Sequence, residues 1–562
     1  MFIDHLNCSE NEILSLIRES DFSSKVGFER EGLRVGNSLL SKKPHPKSLG
    51  SALCNKFITT DFSEAQLELV TPPHEDKKDA MQFLDDIHHF TAHKIKDEII
   101  WPFSMPLDIG SDEDIPIASY GKSNLARFKE IYRNGLSERY GRMMQAISGV
   151  HYNYSVPDAI WENELFKNID IDPKETRSAA YFNMMRNIYR MNWLVFYLFG
   201  ASPVITKNFL TQDSEPFKKL DKKTLYLPYS TSLRMSNYGY QNARRKKLEV
   251  SIDSMAQYIS DLRKATNTTH EEFRKIQTKN SNLQAQINAN ILQIDDEYYA
   301  IARAKSKIVS DQRTTSKLKQ GGVDFIELRS LDIDPFSRAG IKEETTLFLE
   351  VLLTYCFVKQ DQLFSSEEIE NINHNDSLVA KTGRKPNLEL IRDGKKISLS
   401  AWGKQIMENL YPIAAILDCE GAKYSIAIDN AKEKINKTGD EIITQLQSGM
   451  APNEVTSYFD IEWVSAEKVK RDDVSVNRAI LRSVFESGTP TDKPIIISQR
   501  LGSGDYAIII VSNAHNEVPD VDEEQKESTD LRLRRVLSTS EWRDLLRDTR
   551  KNSDIRVFNE NI

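Results

Sequence analysis

The chain has 562 residues, 39% hydrophobic and 28% charged, the profile of a soluble globular protein with core enough for two to four domains. Its 75 Lys and Arg against 83 Asp and Glu leave a net charge of −8. That excludes a general nucleic-acid binder, which needs a basic excess to neutralise phosphates.

The N-terminus, Met1-Phe2-Ile3-Asp4-His5, has no basic n-region followed by an apolar core, so no signal peptide is expected. Residues 11–25 read as a short helix leading into Gly27-Phe28-Glu29-Arg30-Glu31-Gly32-Leu33-Arg34-Val35, a strand with alternating ionisable side chains. A second strand, 65–71, ends at Pro72-Pro73, and Met81, Leu84, Ile87 and Phe90 mark a helix over 77–99. A Pro- and Asp-rich loop over 102–116 precedes a helix over 124–144. Residues 147–155 alternate again, with His151 and Asn153 on one face. A long apolar helix over 176–199 stops at Gly200, and its aromatic residues read as core. Residues 252–278 read as helix, 286–301 and 323–332 as strands, and 342–358 and 402–418 as helices.

Composition shifts near residue 430. A Lys/Glu-rich helix over 429–448, strands at 494–498 and 506–511, an acidic stretch over 518–527 and a charged helix over 529–550 describe a small separate domain, 431–562, after a catalytic one, 1–430. The expected class is α+β, a mostly antiparallel sheet with one polar face and helices packed on the other. The most apolar run, Trp193 to Phe199, is too short to span a bilayer. Cys8, Cys54, Cys356 and Cys419 are far apart and form no C-x-x-C pair, so neither zinc nor a disulfide framework is expected. A cytoplasmic protein without membrane contact fits these features.

There is no phosphate-binding G-x-x-x-x-G-K-[ST] loop, no H-E-x-x-H helix and no G-x-S-x-G elbow. What carries chemistry is a set of carboxylates, one His and several Arg on strand-like segments: Glu29, Glu31, Asp61, Glu68, His151, Asn153, Arg234, Glu327 and Arg329. Neighbouring carboxylates repel unless a cation lies between them, and hard cations such as Mg²⁺ prefer carboxylate oxygens. One such strand alone equally describes a solvated sheet face. Several together, one with His-x-Asn and one with Glu-x-Arg, favour a metal-dependent site for anions. His88, His89 and His93 lie on one helix and read as solvated or capping residues, and Lys42-Lys43 and Arg244 to Lys247 as exposed loop charges.

The 27–35 stretch closely resembles the opening motif of the proteobacterial-type glutamate–cysteine ligases. So do Ile58-Thr59-Thr60-Asp61-Phe62 with Glu64 to Leu69, Trp101-Pro102-Phe103-Ser104-Met105-Pro106, Ile147 to Asn153, Tyr226 to Arg234, and Glu327 to Asp332, in order. The likeness covers about residues 10–430. It implies a glutamine-synthetase-like fold and an ATP-dependent ligase. Such an enzyme phosphorylates the γ-carboxylate of L-glutamate, and the amine of L-cysteine then attacks the acyl phosphate to give γ-glutamylcysteine, ADP and phosphate, the first step of glutathione biosynthesis.

Carried over by position, the resemblance implies that Glu29, Glu31, Asp61, Glu68, His151 and Glu327 hold Mg²⁺, with Mn²⁺ as an alternative, around the phosphates of ATP. Arg329 and Arg133 neutralise the transferring phosphoryl group. Asn153, Arg234 and backbone near Ile147 bind glutamate, and Tyr132, Leu136, Gln145, Tyr240, Tyr299 and Phe62 shape the cysteine pocket. A monomer binding glutamate, cysteine and ATP is expected, with no nucleic acid. The tail departs from this pattern. Phe459 to Trp463, Arg471-Asp472-Asp473, Ala479 to Phe485 and Gly504 to Ala507 resemble the C-terminal region of parvulin-type periplasmic folding factors. A ligase joining glutamate to another amine, and a non-catalytic fusion acting through its tail, are the alternatives.

Overall fold

In the computed structural model, a mostly continuous chain is described over residues 9–514, except 21, 168–170, 211–215, 240–249, 280–284, 310–311, 419–420, 437–444, 448, 460–462, 468, 472, 492 and 502–505. The chain divides into a large unit, residues 1–441 with 453–462, and a small one, residues 442–452 with 463–562.

The large unit is built on one antiparallel sheet. Its main strands are β1 (Lys25–Gly36), β2 (Ile58–Thr60), β3 (Gln66–Val70), β4 (Val150–Ser155), β5 (Ala302–Lys305) and β6 (Phe325–Leu331), in the spatial order β5-β6-β4-β1-β3-β2. Two-residue strands at 39–40 and 99–100 extend β1 at its far end. The period-2 pattern of the sequence sorts the side chains as expected. Val26 and Phe28, Leu67 and Leu69, Tyr152 and Tyr154, Ala302 and Ala304, and Ile326 and Leu328 are buried on one face. They join a single core with helices α4 (Pro173–Phe199) and α6 (Glu343–Val358). Asp172 caps α4 and Pro173 sits in its first turn, which is why this helix starts there. Tyr181, Phe182, Trp193 and Phe196 are buried, so the aromatic run is core.

The remaining helices include α1 (Glu10–Glu19), α2 (Lys77–Ile95), α3 (Asn124–Tyr140), α5 (Met255–Asn267), α7 (Ser366–Thr382), α8 (Leu399–Leu417) and α9 (Lys423–Asn436). The helix expected over 124–144 breaks at Gly141, whose φ of 82° is a conformation that side-chain-bearing residues avoid. The one expected over 252–278 breaks where Thr269 bridges to Asn290.

The strand expected over 286–301 is not a strand; it is loop with a 3₁₀ turn at Asp295–Glu297, and the strand follows at Ala302–Lys305. Local side chains take the backbone partners that a ladder would use: Gln293 Oε1 accepts from Ile287 N, and Asn288 Oδ1 from Asn290 N. The helix expected over 429–448 starts earlier, as α9, and 437–444 lies outside the described residues.

In the small unit, an antiparallel hairpin, β7 (Ile495–Arg500) and β8 (Tyr506–Val511), packs with helix α10 (Arg478–Glu486). The acidic stretch and charged helix expected over 518–550 lie outside the described residues. No helix among the described residues is long and apolar enough to cross a membrane.

One buried carboxyl in the helical layer works against stability at neutral pH. Asp376 of α7 is buried; Asn192 of α4 donates to its Oδ2 at 3.0 Å, while Oδ1 has no partner among the described residues. Burial raises it from 3.8 to about 7, against the opposing Asn192 hydrogen bond. A folded-state value above the unfolded one means the proton is held more tightly in the folded chain. The stability it contributes is full below pH ~4 and lost as pH rises through about 7. Asp376→Asn is therefore expected to raise the melting temperature at pH 8 and to leave it nearly unchanged at pH 4.5, read by thermal denaturation at both.

Candidate active site

The face of the sheet opposite the core is polar because the strand register stacks the alternating residues of four strands. Glu29 lies opposite His151, Glu31 opposite Glu68, and Glu327 opposite Asn153. His151 is the centre. Its Nδ1 is 3.3 Å from Glu29 Oε2 and 3.2 Å from Glu327 Oε1, and its Nε2 is 3.4 Å from Glu31 Oε1. Asn153 Nδ2 donates to Glu29 Oε1 at 3.0 Å. Glu31 is latched by Gly149, whose N–H donates to its carboxylate at 2.9 Å and whose carbonyl accepts from its N–H.

Electrostatics show what this cluster lacks. Glu68 is pushed up to about 8, first by burial and then by the charges of Glu29, Asp61 and Glu31. Burial also raises Glu31, against the opposing charge of His151. On Glu327, burial is outweighed by Lys305 and Arg329, which hold it well below the ordinary carboxylate range. Burial and Glu327 push Glu29 upward, yet His151 and Lys305 leave it low. On His151, burial and Arg329 favour the neutral ring, but Glu31, Glu29 and Glu327 together raise it to about 9. One side of the cluster is thus balanced by cations, and the Glu31–Glu68 side carries carboxylates without enough positive charge.

Glu29, His151 and Glu327 each offer a ligand atom, all within 4.8 Å of one another. A set of carboxylate oxygens and one imidazole, short of positive charge, fits a hard divalent cation.

Arg329 stands beside this set, its Nη1 2.9 Å from Glu327 Oε1 and its guanidinium 5.6 Å from the Tyr299 ring centre. Arg133 approaches from the other border of the sheet. It bonds the carbonyls of Asp61 and Lys129 and lies 4.8 Å over the Tyr120 ring. The two arginines therefore flank the carboxylates from opposite ends of the strand order. Arg234 is buried beneath Gly149, donating to the Arg329 carbonyl at 2.8 Å, with Asp332 Oδ1 at 4.0 Å. Asp332 is itself held by Ala201 N, Ser202 Oγ and Ser232 Oγ.

Phe62, Tyr132 and Leu136 share one apolar cluster. Ile147 and Tyr299 belong to another, where Tyr299 donates to Met235 Sδ at 3.4 Å. Gln145 is buried at the end of the short helix that joins the two stretches, and the Ile147 carbonyl accepts from Gln66 Nε2. Tyr240 and residues 244–247 lie outside the described residues.

Sequence reasoning missed Lys305, whose Nζ is 2.9 Å from Glu327 Oε2, and the Asp332 partner of Arg234. Ala302-Arg303-Ala304-Lys305 alternates like the other strands, but ending the expected strand at 301 hid it.

A sequence profile described as glutamate–cysteine ligase matches residues 15–379. The chain belongs to the glutamate–cysteine ligase family. It is 41% identical to the glutamate–cysteine ligase of Aliivibrio salmonicida, over 70% of this chain and 76% of the relative. Against that of Pseudomonas fluorescens Pf0-1 it is 40% identical, over 76% and 81%. The crystal structure of the Francisella tularensis glutamate–cysteine ligase in complex with AMP superimposes with a TM-score of 0.70 at 34% identity, covering 79% of this chain and 90% of that one. A bifunctional glutathione synthetase from Pasteurella multocida shares the fold, with a TM-score of 0.58 at 24% identity, over 81% of this chain and 54% of that one. Family membership makes the chain an ATP-dependent ligase that forms γ-glutamylcysteine from glutamate and cysteine. The profile stops at residue 379 and gives the folding-factor likeness of the tail no support.

Proposed function

We propose that the polar face of the sheet is the active site of this ligase, with Glu29, Glu31, Asp61, Glu68, His151 and Glu327 holding Mg²⁺ or Mn²⁺. The observation that carries the assignment is the convergence of three strands on His151, with Glu29, Glu31 and Glu327 all within 3.4 Å of its ring nitrogens. Bound there, the cation supplies charge neutralisation for the phosphates of ATP. Phosphoryl transfer to a carboxylate brings many negative charges together, so the protein's task is mostly neutralisation and alignment. Arg329 and Arg133, facing in from opposite sides, neutralise the transferring group. Asn153 and Arg234 take glutamate, and Phe62, Tyr132, Leu136, Gln145, Tyr240 and Tyr299 wall the cysteine pocket. Such a pocket separates close isosteres only modestly.

The protein is a cytoplasmic monomer in this reading, and the region after residue 462 is dispensable for catalysis. Full-length protein is expected to release ADP from ATP and glutamate only when cysteine is added, with γ-glutamylcysteine as product. Equal turnover with 2-aminobutyrate or other amines points instead to a broader glutamate–amine ligase. Turnover that requires the tail yet survives Glu29→Gln overturns the assignment.

The role of Arg234 has its own test. A Cβ at Gly149 would lie 2.2 Å from Arg234 Nη2, so Gly149→Ala forces the guanidinium aside. Losing a hydrogen bond to a charged group costs about 1.5–3 kcal/mol, so the KM for glutamate is expected to rise roughly tenfold or more. The KM for ATP should move much less, and steady-state kinetics with each substrate varied distinguishes the two.

A further inference from the structure

Strand β5 borders the sheet, and its period-2 pattern sends Ala302 and Ala304 to the core and Arg303 and Lys305 to the polar face. Arg303 stands opposite Glu327 in register, yet its guanidinium donates to the carbonyls of Asp296 and Tyr298, at the 3₁₀ turn before the strand. Lys305 is the one of the pair that reaches the carboxylate. Its Nζ lies 2.9 Å from Glu327 Oε2.

The two oxygens of Glu327 keep different company. Oε1 meets Arg329 Nη1 at 2.9 Å and His151 Nδ1 at 3.2 Å. Among the described residues Oε2 accepts no hydrogen bond, and the ion pair it forms is with Lys305. Charge balance alone does not call for this ammonium, because Arg329 and His151 already stand on the carboxylate.

What Lys305 changes is geometry. A guanidinium and a free carboxylate tend to close into a two-oxygen fork. Here Arg329 donates to one oxygen only, and its Nε has no hydrogen-bond partner among the described residues. Part of the guanidinium is therefore uncommitted, beside the carboxylates assigned to the cation. The lysine is also the accessible member of the pair, its side chain 26% exposed against 1% for Glu327. Its charge can be removed at the edge of the sheet without opening a void in the core.

We propose that Lys305 is a positioning residue of the ligase. By occupying Glu327 Oε2 it restricts Arg329 to a single oxygen and keeps the rest of the guanidinium free for the transferring phosphoryl group. The inference rests on the assignment of the polar face as the active site, and adds to it a cation that acts through Glu327 and touches no substrate.

The test is kinetic. Lys305→Met is expected to lower the kcat of cysteine-dependent ADP release by about a hundredfold, with the KM for glutamate and for cysteine nearly unchanged. Mn²⁺ binding without substrates, followed by electron paramagnetic resonance, should be at least as tight as in the parent, because a neighbouring positive charge is gone. Lys305→Arg returns a positive donor and should recover at least roughly a tenth of the parent kcat. In Lys305→Met/Glu327→Gln the lysine substitution should cost nothing beyond the loss in Glu327→Gln alone.

An unchanged kcat in Lys305→Met overturns the role, and so does a Lys305→Arg variant no faster than Lys305→Met. Weaker Mn²⁺ binding overturns it as well, since the lysine would then serve the carboxylate cluster rather than Arg329. A further loss in the double variant overturns action through Glu327. Full activity in Glu327→Gln alone removes the active-site assignment itself, so the two failures are told apart. If circular dichroism shows that Lys305→Met does not fold, Lys305→Thr, suited to an edge strand, is put through the same measurements.

Discussion

Glu327→Gln is expected to lower the cysteine-dependent release of ADP by about a thousandfold, with the fold intact. The substitution keeps the size of the side chain and removes its charge. Glu327 is the residue on which Lys305, Arg329 and His151 all converge, at 2.9, 2.9 and 3.2 Å. Without that charge the three cationic groups repel one another, and the proposed cation loses a ligand at the same moment. The loss should appear in kcat and in the affinity for Mn²⁺, followed by its electron paramagnetic resonance signal without substrates. A variant that binds Mn²⁺ and turns over like the parent removes Glu327 from the metal site.

The largest effect on stability is expected at Lys77→Met. Lys77 opens helix α2, and its ammonium lies 2.6 Å from Glu350 Oε1 in the interior, where both side chains are nearly inaccessible to water. Ser24 and Tyr424 also donate to the Glu350 carboxylate. Removing the lysine leaves a buried negative charge with two hydroxyl donors only, at a cost of about 3–5 kcal/mol. The double variant Lys77→Met/Glu350→Leu removes both charges and should recover most of that loss. About 1–3 kcal/mol should remain, because the Tyr424 and Ser24 hydroxyls are left without their acceptor. Urea denaturation of the two single variants and the double variant closes the cycle. Additive losses would mean that the pair is not coupled.

The face proposed as the active site was legible because the strand period is exact: Glu29 and Glu31, His151 and Asn153, and Glu327 and Arg329 each sit two apart, which fixes a shared face without any tertiary information. What period cannot give is which strands become neighbours. That Glu31 lies opposite Glu68 while Glu327 lies opposite Asn153 depends on long-range register. The family resemblance supplied the proposed roles where periodicity stopped. Misses came where side chains capture backbone groups, as in the loop of Gln286 to Gln293, or where a partner is remote, as with Asp332 and Arg234.

The central position of β1 has a consequence for how the enzyme moves. It is paired to β4 on one side and β3 on the other through the stretch that carries Glu29 and Glu31. Amides there have no free edge and exchange with solvent only when the sheet itself opens, so they should be among the slowest in the molecule. The backbone positions of Glu29 and Glu31 are therefore expected to stay fixed relative to each other. Adjustments that admit substrates and release products are then expected in side-chain rotation and in the segments at the ends of the strands.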